Sequence, residues 1–291
     1  MIERTVTATA VILLLFSCRG MSQSERLPDE RIIAGVDSAL GRLVQMHKEV
    51  KEIHPFLARL HPVAVLEGDT LFIFDFDTTG DLYRFQQKVP APFPMQKGIR
   101  ASFPLSSNGN RPTVVVSRDV FDSREGYATI FHEFVHCSQA LTCENSLKQG
   151  LHVARAAMEA KDYSWEINHR FPYRDSSFTE AYTRFLQALE GANSGALQQS
   201  GRDLRHRLTQ DDFEYMVWVE WKEGFARYVE NTIRRRYGLE PNFAGRDQPY
   251  DRVTFYYGGE KCITYIARRH GGGIPDVSEL FTELSALPGV N

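Results

Sequence analysis

Charge of one sign, long apolar runs, cysteine and repetition are all scarce in this chain, and each scarcity excludes something. A formal net charge of -3 over 291 residues argues against nucleic acid as a general partner. A cationic spot such as Arg234-Arg235-Arg236 reads as the end of a helix, where positive charge complements the dipole. The apolar run from Val6 to Phe16 is too short to span a bilayer comfortably. There is no internal repeat and no low-complexity tract. Hydrophobic residues make up 42% of the chain, enough for one large or two small domains with a real core.

At the N-terminus, Arg4 followed by Val6 to Phe16 has the form of an export signal, and Leu15-Phe16-Ser17-Cys18 resembles a bacterial lipobox. The expected processing removes residues 1–17 and leaves a lipid on Cys18, with residues 18–28 as a polar tether to a membrane facing the periplasm or cell exterior; ordinary signal cleavage and an uncleaved anchor are the alternatives. In an exported protein the other three cysteines, Cys137, Cys143 and Cys262, leave at least one thiol unpaired. Cys143 and Cys262 can pair only if the fold brings them together.

His132-Glu133-Phe134-Val135-His136 is the most informative stretch. Histidines four apart on a helix project from one face, one turn apart, so both imidazoles can reach a single metal ion. Glu133 stands beside the first of them, where a carboxylate can take a proton from a metal-bound water. The flanking residues Tyr127 to Phe131 and Cys137 to Leu141 are mostly apolar and helical, which suits a buried metal helix. Cys137, one position past His136, points away from such a metal.

A catalytic zinc site needs a third protein ligand. The metzincin tail would place a glycine at 139 and a histidine at 142, and this chain has Gln139 and Thr142. Trp221-Lys222-Glu223-Gly224-Phe225-Ala226-Arg227-Tyr228 instead resembles the E-G-x-A-x-Y segment of gluzincin metallopeptidases, the aminopeptidase N type among them. The resemblance implies Glu223 as the zinc ligand, with Glu159 as the nearest acidic rival. Gly224 and Ala226 are small enough for helices to approach closely, and Glu230 shares the face of Glu223. Two departures stand out: 86 residues separate His136 from Glu223, read as inserted helices over 146–210, and Arg227 stands where thermolysin-type enzymes carry an aspartate. Downstream, Tyr256-Tyr257-Gly258-Gly259 resembles the Y-x-x-G of the same superfamily, which implies Tyr256 as donor to an oxyanion, with Tyr257 as its rival.

Apolar spacing predicts a helix over 29–60 and strands at Val63–Leu66, Leu71–Phe76, Leu82–Gln86, Ile99–Phe103 and Thr113–Ser117. After Asp122 nearly everything reads as helix, with breaks near Asn145, Pro172, Asn193 and Gly238. The expected architecture is α+β: a small mixed sheet within 29–122, then a helical part over 123–291, which the resemblance completes as a zincin-like metallopeptidase. By that resemblance the strand Thr113–Ser117 borders the site and offers its edge to extended substrate; the other reading is a plain core strand. The function expected is a zinc-dependent peptidase acting on peptide or protein substrates. The aminopeptidases that the chain resembles hold the substrate's free amine with a G-x-M-E-N segment before the metal helix; none precedes Phe131, and by that resemblance an endopeptidase is favoured. A metal-dependent hydrolase of a non-peptide bond and an inactive binding protein are the alternatives.

Overall fold

The computed structural model describes residues 29–76, 82–191 and 193–288. The expected export signal, the lipid site at Cys18 and the tether lie outside the described residues. Contacts divide the chain into two compact units, Met1–Ser138 and Gln139–Asn291.

The first unit opens with α1 (Asp29–Val50), which buries the stripe Ile32, Val36, Leu40, Leu43 and Val44. It stops ten residues short of the expected end at 60. Pro55 disfavours helical backbone at His54, which is extended and whose Nδ1 accepts from Phe56 N to start a short 3-10 turn, Pro55–Leu57. Five strands follow at the places the apolar runs predict: β1 (Val63–Glu67), β2 (Thr70–Phe76), β3 (Tyr83–Pro90), β4 (Arg100–Leu105) and β5 (Arg111–Ser117). Their order in the sheet is β3-β2-β1-β5-β4, with β1 and β5 parallel and the other pairs antiparallel. β1 and β5 are central and buried on both faces, which is why they read as continuous valine-rich runs rather than as alternation. On one face Ala64, Leu66, Leu71, Ile73, Leu105 and Val115 form an apolar cluster covered by Met95, Ile99 and Phe103. Because β5 is paired on both sides, it has no free edge to offer a peptide. The core-strand reading holds for Thr113–Ser117, and β4 is the edge strand on that side of the sheet.

From β5 a 3-10 turn, Arg118–Asp122, leads into α2 (Arg124–Thr142). Ser123 Oγ accepts from Gly126 N at 3.1 Å and caps the start of α2. A Cβ on Gly126 would lie 1.9 Å from Val120 O, so only glycine lets the turn fold back onto the helix. Tyr127 donates to Ala39 O and accepts from Arg42 Nε, which fastens α2 to α1.

The second unit, beyond the last turn of α2, is helical: α3 (Glu144–Gly150), α4 (His152–Glu159), α5 (Trp165–Asn168), α6 (Ser176–Glu190), α7 (Ser194–Arg207), α8 (Gln210–Arg236), α9 (Thr254–Arg269) and α10 (Val277–Ala286). α8 is the axis of this unit. Thr209 caps it by accepting from Asp212 N, acids fill its first turn, and Arg234–Arg236 close its last. α9 crosses α8 at a glycine pair. A Cβ on Gly224 would come within 2.5 Å of the Cα of Gly259, and one on Gly259 within 2.1 Å of Glu220 O. The close helix approach that Gly224 allows is therefore with α9. Among the described residues the three thiols Cys137, Cys143 and Cys262 are buried and unpaired, so Cys143 and Cys262 form no disulfide.

Candidate metal centre

α2 is enclosed on nearly every side from Ile130 to Gln139, and Ile130, Phe131, Phe134 and Val135 account for the apolar part of that surface. His132, Glu133 and His136 are buried in the same stretch, at 6%, 6% and 8% exposure. Polar groups held out of water in this way need partners. The two imidazoles supply a clue to theirs: Nε2 of His132 and Nε2 of His136 lie 3.2 Å apart. Two nitrogens bound to one tetrahedral ion at about 2.0–2.1 Å each would sit about 3.3 Å apart. Glu223, on α8 and 8% exposed, completes the set, since one ligand atom from each of His132, His136 and Glu223 lies within 4.8 Å of the others. This buried group of two imidazoles and a carboxylate can hold a metal ion. Glu159, its rival from the sequence, is exposed on α4 and outside the group.

Glu223 is set by what flanks it. Gln139, three residues past His136 on α2, donates to the backbone oxygen of Lys222 at 3.1 Å. Lys222 Nζ bonds Glu144 at 3.0 Å and Glu166 at 2.8 Å, and Lys148 Nζ meets both carboxylates at 2.6 Å. Both ammonium groups rest over the Trp218 ring. Burial alone would push the two carboxyl groups up, but Lys222 and Lys148 outweigh it and hold both below the usual range. Burial likewise works against the charge on Lys222, and the two glutamates more than reverse that.

The carboxylate of Glu223 accepts from Arg252 Nη2 at 3.0 Å. Arg252 Nη1 donates to the hydroxyl of Tyr256 one turn further on, and Arg252 Nε donates to Glu166 O at 3.2 Å. Two guanidinium groups lie over the Tyr256 ring, Arg252 at 5.3 Å and Arg227 at 5.5 Å from its centroid. Arg227 is in turn 3.3 Å from Glu230, which also accepts from Arg234 at 2.9 Å and Asn242 at 3.1 Å. Glu230 thus braces Arg227. Tyr257 points elsewhere: its hydroxyl donates to Glu190 at 2.6 Å, and burial followed by that bond raises its pKa.

The structure therefore brings together His132, His136 and Glu223, keeps Glu133 buried on the same helix, and joins Tyr256 to Glu223 through one arginine. Sequence reasoning missed Arg252. Arg252 lies in the turn just before α9, which starts at Thr254, so only its nearness in sequence to Tyr256 hinted at the pair. No family model matches the chain, and neither a curated protein nor a solved structure matches it. Among the described residues no helix is long and apolar enough to cross a membrane.

Proposed function

We propose that the chain is a zinc-dependent peptidase of the gluzincin type, with a zincin-like fold and endopeptidase activity. The observation that carries this is the convergence of His132, His136 and Glu223 beside a buried Glu133 on the same helix as the two imidazoles. A site with no hydrolytic role would need the three ligands and not the extra carboxylate. A zinc ion held by these residues supplies Lewis acidity to a carbonyl and lowers the pKa of a water. Glu133 takes the proton of the attacking water and passes it to the leaving amine. Tyr256 donates a hydrogen bond to the carbonyl oxygen as it becomes anionic. The bond from Arg252 to the Tyr256 oxygen polarises that hydroxyl and strengthens it as a donor.

Cleavage of a peptide library by the zinc-loaded protein tests the reading. The wild type is expected to release new termini, and Glu133→Gln to retain its zinc while losing about 10²- to 10⁴-fold in rate. His132→Ala, His136→Ala and Glu223→Ala should each lose the metal. Wild-type protein that holds zinc and cleaves no peptide would leave a hydrolase of another bond. Undiminished cleavage by Glu133→Gln would remove the mechanism altogether.

A further inference from the structure

The strongest unassigned feature is the three-way grip of Arg252. Arginine carries only donors, so in its bond to Tyr256 the phenol oxygen must be the acceptor. The proton of Tyr256 is then directed away from the guanidinium. The same planar fork fixes one oxygen of Glu223, while Nε is pinned to Glu166 O. That carbonyl is itself well held: it accepts from Tyr215 at 3.2 Å, and the Glu166 carboxylate is locked between Lys148 and Lys222. A guanidinium immobilised at Nε can hold two other side chains at a fixed separation with its remaining nitrogens.

We propose that Arg252 is a positioning residue that sets the metal ligand Glu223 and the oxyanion donor Tyr256 in one rigid unit. This rests on the peptidase reading for its Tyr256 half and on the ligand assignment alone for its Glu223 half. Through Glu223, Arg252 acts on metal affinity, because outer partners that orient a ligand carboxylate contribute to binding the ion. Through Tyr256, it acts on the rate of the chemical step and not on substrate binding, because the phenol's bond forms fully only in the transition state.

The test uses Arg252→Lys, which keeps the charge and loses the fork, Arg252→Gln, and each of them combined with Tyr256→Phe. Zinc affinity is read by competition with a chelating indicator, and turnover on a peptide that the wild type cleaves. Zinc binding should weaken about 10- to 100-fold in both single variants. Arg252→Lys should lower kcat at least tenfold with KM within about threefold, and should add less than about threefold once Tyr256 is phenylalanine. Zinc affinity within about twofold of wild type in Arg252→Lys, checked for native circular dichroism, overturns the Glu223 half. Rate losses that simply multiply in the double variant overturn the Tyr256 half. If the wild type binds zinc but turns over no peptide, the peptidase reading fails while the zinc arm still decides the role of Arg252 toward Glu223.

Discussion

The two units bury different kinds of chemistry. In the first, the interior around the sheet is aliphatic and aromatic, and its buried ionisable side chains among the described residues are Tyr83, Tyr127, His61, Cys137 and the trio on α2. Tyr83 and Tyr127 spend their hydroxyls on backbone carbonyls, at His61 and Ala39, and burial pushes the Cys137 thiol up so that it stays neutral. His61 is held neutral as well: burial, with Arg59 nearby, lowers its pKa to about 4, and it serves as a partner to Ser138 Oγ at 3.0 Å. In the second unit, Glu144, Glu220, Glu223, Arg227, Glu230 and Glu260 are all buried, against a lining of aromatic rings packed on one another. A buried charge in the first unit therefore marks the metal helix, while in the second it is ordinary construction. The three buried glutamates of α8 show this: Glu220 meets the Tyr182 hydroxyl at 2.5 Å, Glu230 meets two arginines, and only Glu223 belongs to the metal group.

The sharpest way to break this contrast is to delete a charge in each unit. Glu230→Ala removes the carboxylate that Arg227 and Arg234 share, and loss of one partner of a buried ion pair typically costs about 3–5 kcal/mol. Asp119→Ala removes the partner of Arg100, an ion pair at the surface of the sheet unit worth at most about 1 kcal/mol. Urea denaturation of both variants should show the gap. Equal losses would mean that the ion pairs of the helical unit are as dispensable as surface ones.

The same contrast explains how much the sequence makes legible. The five strands and the metal helix lie in the unit where apolar pattern and burial coincide, and there the pattern misleads at the end of α1, which it carries past Val50, and at β3, which runs to Pro90 and not to Gln86. Pro55 keeps His54 extended, so a helix cannot run through to 60 whatever the apolar spacing. In the helical unit, Glu223 stands out through a motif and not through its surroundings, since neighbouring glutamates have the same burial. Arg252 pairs with Glu223 across 29 positions, and Gly224 packs on Gly259 across 35, so local spacing carries no sign of either. The partner of a small residue is a property of the folded pair of helices.

A smaller effect should come from Glu220. Burial raises its pKa from 4.5 to about 8, partly offset by the bond from Tyr182, with the Cys262 thiol also close by. The folded pKa lies above the unfolded one, so the contribution is full below about pH 4.5 and is lost as pH rises toward 8. Wild-type stability should fall across that window by up to a few kcal/mol, at about 1.4 kcal/mol per unit. Glu220→Gln can keep the Tyr182 bond and has no proton to lose, so its stability should be flatter between pH 5 and 8. Parallel pH profiles for the two proteins would show that Glu220 is not held protonated by its burial.

The smallest changes compare single methyl groups. At Gly224 the obstacle to a Cβ is the backbone of Gly259, which cannot swing aside as a side chain would. Gly224→Ala must push α9 away from α8, a cost of about 1–3 kcal/mol, and it should carry Arg252 away from Glu223 and weaken zinc binding as well. Gly35, on the exposed face of α1, has nothing within 4 Å of the place a Cβ would occupy. Gly35→Ala should stabilise the protein by about 0.5–1 kcal/mol, because alanine loses less backbone freedom on entering a helix. Opposite signs at two helical glycines would separate a glycine required by packing from one that is merely tolerated. If Gly224→Ala denatures at or above the wild-type urea midpoint, the α8–α9 crossing can relax, and the close approach is not what sets Arg252 against Glu223.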